Sequence, residues 1–221
     1  MVFYEFEGGL YLNITNRCPT ACSFCVKTRW DWSFRGRDLL LPHEPSRREI
    51  LDGLEARLGP TTSYRELVFC GYGEPTQRLD VLLAAARHAR HLRPDISVRL
   101  NTVGLGRLIC GRDIVPDLRG AVDRVSVSVN TADPAQWLTL HRPRPEYRAA
   151  GFAAACAFAA DCAAAGLRTR VTAVDRPDVD LPAVEALARS LGAEFFLRPQ
   201  LEDLGASTQA RPVRRRGRNV A

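Results

Sequence analysis

The sequence has no run of about 20 apolar residues, so no membrane-spanning helix is expected. Its opening, MVFYEFEGGLYLNIT, has no basic segment followed by a long apolar stretch, so no secretory signal is read there. The seven cysteines are odd in number, and without a secretory context they argue against a disulfide framework. A reducing compartment follows, and the expected location is cytoplasmic. No internal repeat is present. Aromatics are sparse at 8%, and none interleaves with Arg211, Arg214, Arg215, Arg216 and Arg218 near the end. Base stacking needs such aromatics, so this stretch supports a nucleic-acid partner only weakly and reads as a solvated, disordered tail. The formal charge of +6 is largely that tail, since removing its five arginines leaves +1.

The rest of the chain is ordinary for a globular protein. Its hydrophobic fraction is 46%, and a domain of this size buries roughly 70% of its unfolded-chain surface without needing disulfides. One domain is expected over 1–203, with the tail over 204–221.

Strand-like and helical segments alternate. Strands are expected at 9–15, 66–70, 96–101, 124–130, 167–174 and 194–199. Ser46, with Glu49 three residues on, opens a helix as a capping box, and Gly59-Pro60 stops it. Further helices are expected at about 77–92, 111–119, 146–165 and after Asp180. Six β-α units of this kind predict an α/β fold with a parallel sheet. A doubly wound sheet and a partial barrel both fit. In either, the loops at the carboxyl ends of the strands carry function.

Two of those loops hold unusual groupings. After the first strand come Cys18, Cys22 and Cys25, spaced C-x3-C-x2-C. Three thiolates can hold three irons of a [4Fe–4S] cluster, which takes four ligands in its common form. The fourth iron is left open to bind something. After the second strand comes Gly71-Tyr72-Gly73-Glu74-Pro75-Thr76. A plain strand-to-helix turn explains one glycine and Pro75, but not a glutamate among the glycines. Cys70, Cys110, Cys156 and Cys162 form no second grouping, and the last two read as small buried hydrophobes.

Together the two motifs resemble the radical S-adenosylmethionine family, with Phe24 as the aromatic before the third cysteine. The resemblance implies a partial (βα)6 TIM-like barrel with parallel strands. It implies a [4Fe–4S] cluster on Cys18, Cys22 and Cys25. It implies S-adenosylmethionine held by the open iron and cut reductively to a 5′-deoxyadenosyl radical. Residues implied to contact that cofactor are Phe24, Gly71, Tyr72, Gly73, Glu74, Asn101, Ser128, Asn130 and Arg142. The strand-four alternation puts Ser126, Ser128 and Asn130 on one face. Asn101 also reads as a turn cap, and Arg142 as a plain surface arginine. Thr172, Asp175 and Arg198 follow on the last two strands, where Arg198 is a candidate clamp for an anion. Trp30, Trp32 and Phe34 either cover the cysteine loop or simply pack. A small electron donor such as a flavodoxin or ferredoxin is the implied partner.

Within the family, LYLNITNRCPTACSFC, GYGEPT, SVSVNTAD with HRP, VTAVDRPDVD and GAEFFLRP resemble the TatD-associated radical S-adenosylmethionine proteins. Their substrate is not established. Second in likeness are the 7-carboxy-7-deazaguanine synthases, and third the glycyl-radical activases. A non-enzymatic iron–sulfur or zinc module, with His43 as a fourth ligand, accounts for the cysteines but not for Gly71 to Glu74.

Overall fold

The computed structural model describes residues 1–29, 32–59 and 62–200. Trp30, Pro60 and the 204–221 tail named above lie outside them. In chain order the elements are β1 (Phe3–Phe6), β2 (Gly9–Leu12), α1 (Val26–Arg29), β3 (Ser33–Phe34), β4 (Arg37–Asp38) and α2 (Arg47–Glu55). Next come β5 (Glu66–Phe69), a 3-10 turn (Pro75–Arg78), α3 (Leu79–Leu92), β6 (Ser97–Thr102), α4 (Gly106–Cys110) and α5 (Val115–Leu118). The chain continues with β7 (Arg124–Ser128), α6 (Pro134–His141), α7 (Pro145–Arg148), α8 (Gly151–Ala164), β8 (Arg168–Val174), α9 (Leu181–Ser190) and β9 (Glu194–Arg198).

The main sheet has seven strands in the order β1-β2-β5-β6-β7-β8-β9. All neighbours from β2 to β9 are parallel, and β1 closes the edge antiparallel to β2. Sequential order means that every crossover steps the same way. With right-handed crossovers, the covering helices then share one face and the sheet curls toward a barrel. A doubly wound sheet would reverse its strand order at a switch point. The partial barrel is therefore the architecture, open between β1 and β9.

Alternation along the strands separates the two faces. Leu10, Leu12, Leu67, Phe69, Val98, Leu100, Val125, Val127, Val171 and Ala173 pack with Ile50 and Leu54 of α2, Leu82 and Ala86 of α3, Phe158 and Cys162 of α8 and Val184 and Ala188 of α9. Full burial of each such Leu, Val or Phe contributes about 1.5–3 kcal/mol. The opposite, concave face carries Tyr11 and Val68, then Arg99, Asn101, Ser126, Ser128, Arg170 and Thr172. Its character turns from aromatic to polar across the sheet.

Several expectations change. β1 and α6 were not foreseen. The helix expected at 111–119 is only the short α5, and the separate α4 before it ends at Gly111, which is left-handed at φ 66°. The helix expected from 146 starts afresh at Gly151, after the separate turn α7. At that start α8 packs closely on α6, since a Cβ at Gly151 would lie 2.5 Å from the Trp137 ring. The Ser46–Glu49 capping box forms as read, with Glu49 N–H donating to Ser46 Oγ at 3.2 Å and Ser46 N–H to the Glu49 carboxylate at 2.7 Å.

Candidate active site

The cysteine loop has little regular structure, so its shape depends on bonds to other segments. Asn13 Nδ2 donates to Leu39 O at 2.8 Å, and Asn16 Nδ2 to Leu41 O at 2.7 Å. Arg78 Nη1 reaches Ile14 O at 2.9 Å and Pro45 O at 2.7 Å. A strand-like bridge joins Thr20 to Pro143. Around it Ser23 N–H donates to Leu140 O at 2.8 Å and Arg144 N–H to Pro19 O at 3.0 Å. The end of α6 and the His141-Arg142-Pro143 turn thus clamp the loop from the far side. Arg142 contributes by backbone, its carbonyl accepting from Ala21 N–H at 3.2 Å, while its side chain is exposed.

Two sulfurs share a hydroxyl. Thr20 Oγ1 lies 3.4 Å from both Cys18 Sγ and Cys22 Sγ. Burial pushes both thiols up, Cys22 to about 12. Cys18 and Cys25 act electrostatically on Cys22, so the three sulfurs occupy one neighbourhood. Among the described residues no three His, Cys, Asp or Glu side chains gather so as to hold one metal ion. A cluster asks for one thiolate per iron, and this loop fits that demand. Bound iron would deprotonate the thiols outright.

His141 is a residue that sequence reasoning passed over in favour of its neighbour Arg142. It is fully buried and stacks on Trp137 at 4.7 Å. Its Nδ1 lies 3.6 Å from Cys22 Sγ and its Nε2 3.2 Å from Val129 O. Burial pushes the imidazole down to about 4, so it is neutral. Phe24 meets the same ring edge-on at 5.6 Å. The residue stands in the His141-Arg142-Pro143 run, but without the fold nothing linked it to Cys22.

The Gly71–Thr76 turn packs directly on the cysteine loop. A Cβ at Gly71 would lie 2.1 Å from Asn13 Oδ1, and one at Gly73 would lie 2.2 Å from Thr15 O and 2.7 Å from Arg17 O. Gly71 makes room for the Asn13 side chain, and Gly73 for the backbone that leads into the cysteine loop. Glu74 N–H then donates to Arg17 O at 2.8 Å. The Glu74 carboxylate is buried and accepts four bonds: Thr76 N–H at 3.2 Å, Thr76 Oγ1 at 2.8 Å, Thr102 Oγ1 at 2.7 Å and Val103 N–H at 2.8 Å. Burial raises its pKa, and these donors work against that rise. Among the described residues no donor reaches the carbonyls of Gly71, Tyr72 and Gly73. Carbonyls without a donor suit an ammonium, which brings donors of its own. The Tyr72 ring is buried and meets Trp32 edge-on at 5.4 Å. Phe34 packs instead among Tyr4 and Phe6.

The remaining candidates lie on the polar half of the concave face. Asn101 sits beside Ser126 in register and receives Arg99 Nη1 at 3.4 Å. Ser128 pairs in register with Thr172. Asn130 is left-handed at φ 65° and closes the end of β7. Its Oδ1 accepts from Val174 N–H at 3.1 Å, and its Nδ2 contacts Ser128 O and His141 Nε2, each at 3.2 Å.

The model of the Radical SAM superfamily matches residues 12–189. The chain belongs to the radical SAM superfamily. Its match to GTP 3′,8-cyclase 2 of Mycobacterium tuberculosis is 35% identical over 156 residues, covering 69% of this chain and 40% of that protein. A GTP 3′,8-cyclase of Mycolicibacterium smegmatis is 34% identical over 194 residues, covering 86% of this chain and 48% of its own. The chain thus spans less than half the length of these relatives. Streptococcus suis SuiB bound to its precursor peptide SuiA superposes with TM-score 0.64 at 16% identity, over 88% of this chain and 40% of that one. That likeness supports the radical SAM barrel as the fold.

Proposed function

We propose that this radical SAM protein reductively cleaves S-adenosylmethionine to start hydrogen abstraction from a substrate bound on the concave face. The observation that carries the reading is the three-thiol loop locked between the glycine–glutamate turn and the His141-Arg142-Pro143 turn. When bound, a reduced [4Fe–4S] cluster supplies the electron for that cleavage. Cys18, Cys22 and Cys25 would hold it, and His141 and Thr20 would lie against the sulfurs, where hydrogen bonding tunes potential. The open carbonyls of Gly71 to Gly73 would receive the ammonium of S-adenosylmethionine. Asn101 and Ser128 are the candidate contacts farther along the face. Tyr72 and Trp32 cover the loop with apolar surface that excludes water. A flavodoxin or ferredoxin would be the electron source.

The segments noted above support placement with the TatD-associated proteins. A second reading is favoured by the 35% identity to a GTP 3′,8-cyclase: the substrate is a purine nucleoside triphosphate. The decisive experiment is anaerobic reconstitution with iron and sulfide, followed by dithionite and S-adenosylmethionine. Chromatography should detect 5′-deoxyadenosine, and Cys22→Ala should remove both the cluster absorbance and the product. A fully loaded cluster with no 5′-deoxyadenosine would overturn the reading. Including GTP and assaying its consumption tests the second one.

A further inference from the structure

Five arginines, Arg99, Arg124, Arg168, Arg170 and Arg198, occupy concave-face positions on the strands beyond β5; Arg124 stands 3.8 Å from Glu66, and Arg168 is exposed to solvent. Arg99 pairs with Glu66 at 2.8 Å and also reaches the Tyr11 hydroxyl at 3.2 Å. Arg170 pairs with Glu194 at 2.9 Å. Arg198 is different, because it is partly buried and among the described residues no carboxylate pairs with it. Its Nε is enclosed and has no hydrogen-bond partner. Its Nη2 makes only a long contact to Asn130 Oδ1 at 3.4 Å.

Position adds a second observation. Arg198 pairs in register with Val174, one strand over and two residues along from Thr172, so both side chains belong to the concave face. Thr172 is buried, and its Oγ1 is likewise enclosed without a partner. The thiols of Cys70 and Cys22 are near enough to act on the guanidinium electrostatically, which puts it toward the cysteine loop. Burial lowers the Arg198 pKa, a mark of a cation taken from water without full compensation. A guanidinium whose Nε is enclosed without a partner or counter-charge is costly, and it is retained where a ligand supplies the missing partner.

We propose that Arg198 and Thr172 form an anion anchor that takes a phosphate or carboxylate of the ligand bound on this face. The planar guanidinium offers paired N–H donors that match an oxyanion edge, and the Thr172 hydroxyl offers another donor beside it. The inference rests on the reading that this face holds the ligands. Two molecules bring such a group under that reading: the substrate, through its own acid, and S-adenosylmethionine, through its carboxylate.

The test uses Arg198→Met, which keeps the stem and removes the charge, with Arg198→Lys as a partial rescue. Reconstituted protein without ligand is melted first. The thermal midpoint of Arg198→Met should rise, because an uncompensated cation has been removed. A fall would mark Arg198 as structural and overturn the proposal. Affinities are then measured by equilibrium dialysis for S-adenosylmethionine, for its decarboxylated analogue and for inorganic tripolyphosphate. Loss of one charged hydrogen bond predicts a weakening of about tenfold or more for one probe, partly restored by Arg198→Lys. Loss for S-adenosylmethionine but not its decarboxylated analogue identifies the cofactor carboxylate. Loss for tripolyphosphate alone identifies a substrate phosphate. Unchanged affinity for all three overturns the anchor whatever the midpoint does. Binding is read without turnover, so absent 5′-deoxyadenosine with intact anion binding would sink the proposed reaction and leave the anchor standing.

Discussion

Glu74 is a buried charge and Arg198 a partly buried one of opposite sign, on opposite sides of the same site. The carboxylate at the glycine–glutamate turn receives four hydrogen bonds from Thr76, Thr102 and Val103. The guanidinium at the end of β9 has an enclosed Nε with no partner and one long contact to Asn130. The first charge is fully engaged by the chain, and the second is not. One wall is therefore built to hold its shape, and the other has bonding capacity left for a ligand. A glutamate in a glycine turn looks like a ligand contact in sequence, whereas in the fold it is the joint between two strand ends.

The largest test of that contrast is Glu74→Ala. It leaves Thr76 Oγ1, Thr102 Oγ1 and the N–H groups of Thr76 and Val103 without their acceptor. Orphaned buried donors cost about 1–3 kcal/mol each, and a new local arrangement would recover part of that, so a loss of about 4 kcal/mol is expected. Urea unfolding should show it, and cluster loading should fall alongside stability. If S-adenosylmethionine affinity alone falls while stability and iron content hold, Glu74 belongs with Arg198 as a ligand-facing charge and the contrast breaks.

Gly73→Ala should come next. Its new methyl would meet two backbone carbonyls, Thr15 O at 2.2 Å and Arg17 O at 2.7 Å. Backbone cannot swing aside as a side-chain tip does, so about 2–3 kcal/mol of overpacking strain is expected. The shift falls on the segment that leads into Cys18. Iron content per chain after reconstitution should drop more than the unfolding midpoint suggests. A variant that loads iron normally would mean that the turn does not set the loop.

The parts of the molecule readable beforehand were those set by near neighbours in sequence. Alternating β-rich runs located the six parallel strands, and Ser46 with Glu49 located a helix start, because each signal lies within a few residues of what it controls. The hairpin into β1 turns at Glu7 and Gly8, both with positive φ at 48° and 75°. Such a turn favours Asn-Gly or Asp-Gly, so Glu-Gly gave little warning. The break before α8 falls at Ala149 and Ala150, where no breaker residue marks it, and the tight approach at Gly151 is to Trp137 of another helix. The same holds at the site. The cysteine spacing was legible, but the use of Glu74 depends on Thr102 at the end of β6 and Val103 just after it, and the place of His141 depends on the bridge between Thr20 and Pro143. Those pairings exist only after the sheet has brought distant loops together.

The smallest expected effect lies at the outer edge of the locked wall. Glu44 accepts bonds from Thr15 and from Arg17, the latter at 2.8 Å, and stands 3.7 Å from Arg78. Partial burial pushes its carboxyl up, but the Arg17 and Thr15 bonds and the two arginine charges outweigh that and hold it below 4.5. A carboxyl with a depressed folded pKa stabilises above its unfolded value and loses that contribution as pH falls through the folded one. Its side chain is 35% exposed, so solvent screening limits the gain to under about 1 kcal/mol. Glu44→Gln should therefore lower the urea midpoint slightly at pH 7. The gap to the parent protein should close as the pH drops below 4.5. A gap that persists in acid would mean that Glu44 acts through shape alone. The lock on the cysteine loop would then be one of packing and backbone bonds, with its charges as bystanders.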